Sequence, residues 1–263
     1  MQSILHTAIE ASIKAGEEIL KVYSTDFEVI SKNDDSPLTK ADKNANDVIV
    51  SFLKDTEIPI ISEENKQAEY KERKDWDTCW IVDPLDGTKE FVKRNGEFTV
   101  NIALVKNGTP VLGVIYVPVS KELYFTSEDS KTAMKITLSS EENFNVTELI
   151  DTATEIHPKS IDNTIRVVGS RSHLNDETQN FIDNLPGDTK VEIVSKGSSL
   201  KFCLIAEGAA DVYPRFAPTM EWDTAAGQAI CQAAGVQVLD QNTNKPLLYN
   251  KENLLNPYFL VTK

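Results

Sequence analysis

The chain has 263 residues, enough to bury a sizeable core in one large domain or in two lobes that share a cleft. Lysine and arginine number 27 against 41 aspartates and glutamates, and the resulting net charge of −14 argues against binding of a nucleic-acid polymer through a basic surface. The three cysteines, Cys79, Cys203 and Cys231, are widely spaced, which indicates neither a disulfide framework nor a CxxC metal site. A reducing cytoplasm fits this cysteine usage best.

The N-terminal segment predicts an amphipathic helix. Apolar side chains recur at helical spacing over residues 4–20, with charged residues between them. The segment lacks the continuous apolar core of a signal peptide, and no apolar run in the sequence reaches the roughly 18 residues that a membrane-spanning helix needs. We therefore expect a cytoplasmic protein without a transmembrane segment, and the sequence leaves peripheral attachment to the inner membrane face open. It does not indicate the oligomeric state.

Helices and short strands follow in the first half of the chain. Residues 27–30 are predicted to form a strand, and after a polar loop residues 39–52 form a helix with Asp42 near its start. Residues 58–61 form a second short strand. The strongly charged residues 66–77 are expected to be an exposed connection.

The middle of the chain changes from alternating elements to hairpins. Residues 98–125 contain three apolar segments separated by an Asn-Gly turn and a proline, which predicts an antiparallel meander. Residues 127–163 are polar and acidic, and we place within them the boundary between an N-terminal lobe, residues 1–150, and a C-terminal lobe, residues 151–263. The second lobe is predicted to alternate strands (165–169, 191–194 and 210–213) with helices (176–185, 199–206 and 222–234).

Two aspartates follow an apolar segment that is predicted to be a strand. Residues 78–82 predict a buried strand, which Pro84 should end, and Gly87-Thr88 can open a helix whose free N–H groups point outward. Asp83 and Asp86 then lie beside a helix N-terminus, where they can hold a hard divalent cation while the helix end receives a phosphate oxygen. Taken alone, the motif is equally well explained as a capped loop in which Asp86 accepts hydrogen bonds from backbone donors.

Other acids also stand at the ends of predicted elements, and the set with this property is Glu64, Asp83, Asp86 and Asp223. Carboxylates and backbone carbonyls suit Mg²⁺, whereas the lack of clustered histidine and cysteine argues against zinc. Two such cations could activate water and stabilise the leaving oxygen of a phosphate ester. Phosphatases that form an aspartyl-phosphate space their acids as DxD, one residue closer than here, so that mechanism is disfavoured.

Several motifs together carry a resemblance to a known family. They are Asp83-Pro84-Leu85-Asp86-Gly87-Thr88, Ser62-Glu63-Glu64 and Glu221-Trp222-Asp223-Thr224-Ala225-Ala226-Gly227. The chain resembles the inositol monophosphatase superfamily of Mg²⁺-dependent, lithium-sensitive phosphatases. Within that superfamily it is most similar to the bacterial 3′(2′),5′-bisphosphate nucleotidases, on the segments 36–42, 89–91, 170–173, 197–203 and 213–216.

The resemblance implies a site with two or more Mg²⁺ ions. It assigns Glu64, Asp83 and the Leu85 carbonyl to one ion, and Asp83, Asp86 and Asp223 to another. Asp42 and Thr88 match the pair that orients and deprotonates the attacking water, and with Glu64 they form the implied catalytic set. A threonine hydroxyl is chemically suited to relay a hydrogen bond from water to a carboxylate. The amides of Gly87 and Thr88 would hold the phosphate.

Substrate selectivity is expected to come from the second lobe. Ser198 and Lys201 lie one helical turn apart, and by the resemblance they contact the nucleotide together with His173 and Arg215. A guanidinium can bind two phosphate oxygens at once, and an ammonium adds a compact charge. The stretch 127–163 is longer and more acidic than the resemblance leads us to expect, so the edge of the cleft is expected to differ.

The resemblance implies a layered αβαβα sandwich of the α+β and α/β type, with metals between the two lobes. The implied activity is Mg²⁺-dependent removal of the 3′-phosphate from adenosine 3′,5′-bisphosphate, with 3′-phosphoadenylyl sulfate as a second substrate, in support of sulfate assimilation. One alternative is an inositol monophosphatase on the same scaffold. Another is a noncatalytic protein that binds cations or nucleotides, although mere binding would not need both Asp42 and Thr88.

Overall fold

The computed structural model describes residues 3–25, 37–139, 143–159, 164–169, 175–185 and 190–263. The predicted strand at 27–30 and the predicted substrate contact His173 lie outside these ranges. The helices are α1 (Ile4–Tyr23), α2 (Pro37–Leu53), α3 (Tyr70–Arg73), α4 (Thr88–Val92), α5 (Val146–Thr152), α6 (Asp176–Asp183), α7 (Leu200–Ala206) and α8 (Ala225–Ala233). The strands are β1 (Ile60–Ser62), β2 (Thr78–Asp86), β3 (Thr99–Lys106), β4 (Thr109–Val117), β5 (Glu122–Thr126), β6 (Ala133–Thr137), β7 (Thr154–Ile156), β8 (Thr164–Val168), β9 (Lys190–Val194), β10 (Val212–Arg215), β11 (Gln237–Asp240) and β12 (Phe259–Thr262).

The strands form two sheets in the described part of the chain. Strands β1 to β7 lie side by side in chain order, with β1 parallel to β2 and every later neighbour antiparallel, so the predicted meander is confirmed. The second sheet has the order β11-β12-β10-β8-β9. In it β8 is parallel to β9 and β10, and β12 is antiparallel to β10 and β11.

Helices cover both faces of the first sheet. Helices α1 and α2 pack against each other and against β2, β3 and β4, while α8 crosses the opposite face over β3 and β4. Helix α7 packs against α8 and also against β10 and β12, and α6 contacts β10. The order of layers is therefore α, β, α, β, α, which confirms the predicted sandwich. None of the described helices is long and apolar enough to cross a membrane.

Strand β2 is buried on both faces. Its side chains alternate between two separate hydrophobic clusters. Trp80 and Val82 belong to the cluster beneath α1 and α2, while Cys79 and Ile81 belong to the cluster that also contains side chains of α7, α8 and the second sheet. The second cluster thus joins residues from both sides of residue 150. Strand β7 extends the first sheet to Ile156. The division into lobes at residue 150 stays a prediction.

Three local expectations need correction. Strand β2 does not end before Pro84 but runs on to Asp86 through an irregularity in its pairing with β3. Helix α2 begins at Pro37, two residues earlier than predicted, so Asp42 lies in its second turn. The charged stretch 66–77 contains α3, whose Arg73 is only 3% exposed.

Arg73 fastens two distant parts of the chain together. Its Nη1 lies 2.8 Å from Asn250 Oδ1 and 3.1 Å from the Lys251 carbonyl, and its Nε lies 3.0 Å from the Ala68 carbonyl. The backbone N–H of Asn250 in turn donates to the fully buried Glu221 at 2.6 Å. This network holds the segment that leads into α8.

We expect Arg73→Ala to lower the free energy of unfolding by about 2–3 kcal/mol, because several buried acceptors lose their donor. Urea unfolding followed by circular dichroism measures this change. The matched control is Lys71→Ala in the same helix, whose side chain is 79% exposed. Equal stability of the two variants would contradict the role of Arg73.

Candidate active site

A bulge in β2 explains how Asp83 and Asp86, three residues apart, can lie on the same face of the strand. Asp83 pairs with Asn101 and Asp86 pairs with Thr99, so three steps along β2 oppose two steps along β3. In a regular strand, residues three apart point to opposite faces. The extra residue of the bulge reverses this alternation and turns both aspartates to one face. Pro84, which lacks an N–H, is accommodated inside the irregular segment.

Asp223 completes a group of three acids. One carboxylate oxygen from each of Asp83, Asp86 and Asp223 can be chosen so that all three lie within 4.8 Å of one another. Asp223 lies two residues before α8, and its Oδ2 accepts a hydrogen bond of 2.8 Å from the Met220 N–H. The structure thus brings together three of the predicted metal ligands, from sequence positions more than a hundred residues apart.

The electrostatics of this group favour a bound cation. Burial raises the pKa of Asp83 well above its ordinary value, and the nearby charges of Asp86, Glu63, Asp223 and Asp42 raise it further. Burial and the charge of Asp86 raise the pKa of Asp223 to about 7. The available ligand atoms are oxygens, which suit a hard cation such as Mg²⁺. The positive charge of the cation would relieve the repulsion between the carboxylates.

Leu85 occupies the bulge between the two aspartates of β2. Its backbone N–H donates to Asp83 Oδ1 at 3.1 Å, which fixes the orientation of that carboxylate. Its side chain is buried in the cluster beneath α1 and α2. The role of the Leu85 carbonyl as a metal ligand stays a prediction.

Asp42 lies within the electrostatic reach of the acids that follow β1. It is 8% exposed, and burial, with the charges of Glu64 and Glu63, raises its pKa to about 8. Burial also raises the pKa of Glu64. Helix α2, which carries Asp42, contacts α4, where Thr88 is the exposed first residue. The pairing of Asp42 with Thr88 stays a prediction, as does metal binding by Glu64.

Glu63 is an acid of the site that the sequence reasoning missed. Its charge raises the pKa of Asp42, Asp83 and Asp223, so it faces the same region as they do. The signal was present in the doubled acid of Ser62-Glu63-Glu64, but the resemblance directed attention to Glu64 alone. The turn is held by Asn46, which accepts from Ser62 Oγ at 2.7 Å and donates to Asn65 Oδ1 at 3.0 Å.

Gly87 closes the motif at a position that only glycine suits. Its φ is 97°, and an added Cβ would lie 3.1 Å from Ser198 Cβ and 3.3 Å from the Glu97 carbonyl oxygen. It is the N-cap residue of α4, which confirms the predicted helix opening at Thr88. The backbone is thereby brought close to the segment that carries Ser198.

A cavity of about 740 Å³ lies next to the acids. Six predicted site residues line it, namely Asp86, Gly87, Ser198, Lys201, Arg215 and Asp223. Burial lowers the pKa of Lys201, while the charges of Asp86 and Glu90 oppose this shift. Lys201 and Arg215 therefore line the same cavity as Asp86 and Asp223, and together with Ser198 they are called the cationic wall below.

Two polar atoms of the cationic wall, Ser198 Oγ and Arg215 Nε, are buried and have no hydrogen-bond partner among the described residues. Ser198 also has a φ of 45°, a backbone conformation that is uncommon for a side-chain-bearing residue. Buried polar atoms are normally hydrogen bonded, so this pair indicates a place that a polar ligand fills.

Comparison with known proteins identifies the family. The model of the inositol monophosphatase family matches residues 1–258. The 3′(2′),5′-bisphosphate nucleotidase CysQ of Salmonella typhimurium is 45% identical over 98% of this chain and 99% of its own length, and that of Escherichia coli K12 is 43% identical with the same coverage.

Solved structures agree with the sequence comparison. CysQ from Bacteroides thetaiotaomicron, a bacterial member of the inositol monophosphatase family, superposes with a TM-score of 0.91 at 52% identity, over 100% of this chain and 97% of that one. An inositol monophosphatase from Zymomonas mobilis has a TM-score of 0.74 at 22% identity, over 98% and 91% of the two chains, and shares the fold. The chain belongs to the inositol monophosphatase family.

Proposed function

We propose that this chain is a Mg²⁺-dependent 3′(2′),5′-bisphosphate nucleotidase that hydrolyses adenosine 3′,5′-bisphosphate to AMP and phosphate. The observation that carries the proposal is a single cavity lined both by Asp86 and Asp223 of the three-acid cluster and by Lys201 and Arg215 of the cationic wall. A substrate with two phosphates needs both features. Relatives at 43–45% identity over nearly the whole chain bear the name of this activity.

The three-acid cluster fits Mg²⁺ by its donor chemistry. Asp83, Asp86 and Asp223 would hold one ion, and Asp83, Glu64 and the Leu85 carbonyl would hold another. When bound, Mg²⁺ lowers the pKa of a coordinated water and stabilises negative charge on phosphate oxygens. Without it, Asp223, whose pKa is about 7, stays partly protonated near neutral pH.

The residues of the chain would orient the attacking water and the reacting phosphate. The Thr88 hydroxyl would accept a hydrogen bond from the water and donate one to the Asp42 carboxylate, so that Asp42 receives the proton. The N–H groups of Gly87 and Thr88 at the start of α4 would donate to the oxygens of the 3′-phosphate. These roles follow from the motif and from the contact between α2 and α4.

The cationic wall would select the second phosphate. Lys201 Nζ lies 2.6 Å from the Ser198 carbonyl, which holds the ammonium at the edge of the cavity. Arg215 Nε and the Ser198 hydroxyl, which have no hydrogen-bond partner within the described ranges, would add donors for phosphate oxygens. The same wall would accept the 5′-phosphosulfate of 3′-phosphoadenylyl sulfate, which we propose as a second substrate.

The proposed activity predicts a preference for adenosine 3′,5′-bisphosphate over inositol 1-phosphate. With Mg²⁺ and equal enzyme, kcat/KM for adenosine 3′,5′-bisphosphate should exceed that for inositol 1-phosphate by about 100-fold or more, because only the nucleotide offers a second phosphate to Lys201 and Arg215. Release of inorganic phosphate measures both rates. A preference for inositol 1-phosphate would instead assign the chain to the rival activity on the same scaffold.

The second prediction concerns Asp83, which both proposed ions share. Asp83→Asn should lower kcat by about 100-fold or more, since it removes a charged ligand from the cluster. The same change should raise the melting temperature of the metal-free protein, because it relieves repulsion between buried carboxylates.

Phosphate release and differential scanning calorimetry in EDTA measure the two effects. Asp47→Asn, at an exposed position five residues beyond Asp42 in α2, is the matched control and should change neither. Near wild-type turnover of Asp83→Asn would show that the metal assignment is wrong.

A further inference from the structure

Ser199 occupies the N-cap position of α7 but does not cap the helix. Its side chain makes no capping hydrogen bond, although serine is among the residues best suited to do so. The hydroxyl is instead 2.8 Å from Asp86 Oδ2 and 3.0 Å from the Asp223 carbonyl oxygen. Ser199 is 2% exposed, so water does not compete for these contacts.

Asn101 determines which way the Ser199 hydroxyl donates. Asn101 Nδ2 lies 2.9 Å from Ser199 Oγ and, at the longer distance of 3.4 Å, also donates to Asp86 Oδ2, while Thr99 Oγ1 lies 3.0 Å from Asn101 Oδ1. Because Thr99 donates to the amide oxygen, the amide nitrogen faces Ser199 and donates to its oxygen. The serine proton is then available to Asp86, whose charge makes it a stronger acceptor than the Asp223 carbonyl.

We infer that Ser199 is a positioning residue for the metal ligand Asp86. Its hydrogen bond occupies Asp86 Oδ2 and holds the carboxylate in the orientation that the three-acid cluster needs. Partners of this kind, behind a metal ligand, typically account for 10–100-fold in metal affinity. Ser199 also follows Ser198 directly, so the backbone of the cationic wall and the ligand Asp86 are tied to each other. The inference rests on the proposed function in one respect, namely that Mg²⁺ binds this cluster.

Direct Mg²⁺ titration by isothermal calorimetry, without substrate, tests this role. Ser199→Ala should raise the Mg²⁺ dissociation constant by about 10-fold or more, and Asn101→Ala should raise it in the same direction by a smaller factor. The contrast variant is Ser198→Ala, because the Ser198 hydroxyl has no hydrogen-bond partner in the described part of the chain. It should raise KM for adenosine 3′,5′-bisphosphate and leave the Mg²⁺ dissociation constant within about 2-fold of wild type.

The Mg²⁺ dependence of kcat distinguishes a positioning role of Ser199 from a general loss of structure in the variant. In Ser199→Ala, kcat at low Mg²⁺ should fall and then recover towards wild type as Mg²⁺ is raised, with KM for the nucleotide little changed. An unaltered Mg²⁺ dissociation constant in a folded Ser199→Ala protein would overturn the inference while leaving the nucleotidase proposal in place. If Ser199→Ala does not fold, an unaltered dissociation constant in Asn101→Ala would overturn it. A further outcome is that the wild-type protein does not hydrolyse the bisphosphate while the variants still bind Mg²⁺ more weakly than it does. That outcome would support the positioning role of Ser199 and reject the nucleotidase proposal.

Discussion

The fold holds Asp83, Asp86 and Asp223 together against their mutual repulsion. Three carboxylates with oxygen atoms within 4.8 Å, one of them 1% exposed, are unfavourable both because they repel and because burial removes them from water. The surrounding structure must therefore fix them from several directions. The bulge in β2, the hydrogen bonds to Asp83 and Asp223 and the Arg73 network all contribute to fixing these carboxylates.

A strand bulge and several hydrogen bonds hold the three acids in place. The bulge in β2 turns Asp83 and Asp86 to one face, and hydrogen bonds from Leu85 and Met220 orient Asp83 and Asp223. The segment before α8 is fastened through the buried Glu221 and the Arg73 network. Lys201 and Arg215 line the same cavity, which therefore contains both carboxylates that suit a cation and donors that suit a phosphate.

The sequence predicted the acids and the layers but not the contacts between them. Asp83, Asp86 and Asp223 were identifiable because each stands at the end of an apolar element, and the regular apolar periods located most helices and strands. The bulge was not predictable, since Pro84 at that place signals a strand end as readily as an irregular strand. The contact of Ser199 with Asp86 spans 113 residues, and no local pattern marks it. Helix α5 and strand β7 lie in a polar stretch with little periodicity and were missed.

Proton release on Mg²⁺ binding tests the central claim most directly. The pKa of Asp223 is raised to about 7 and that of Asp42 to about 8, so at pH 7 the metal-free site holds protons that a cation must expel. Calorimetric Mg²⁺ titrations at pH 7 in buffers of different ionisation enthalpy count these protons. We predict release of about one proton or more, with less released at pH 9, above the pKa values of Asp223 and Asp42. Mg²⁺ binding without proton release at pH 7, or no Mg²⁺ binding at all, would contradict the claim that the fold forces these acids together to hold a cation.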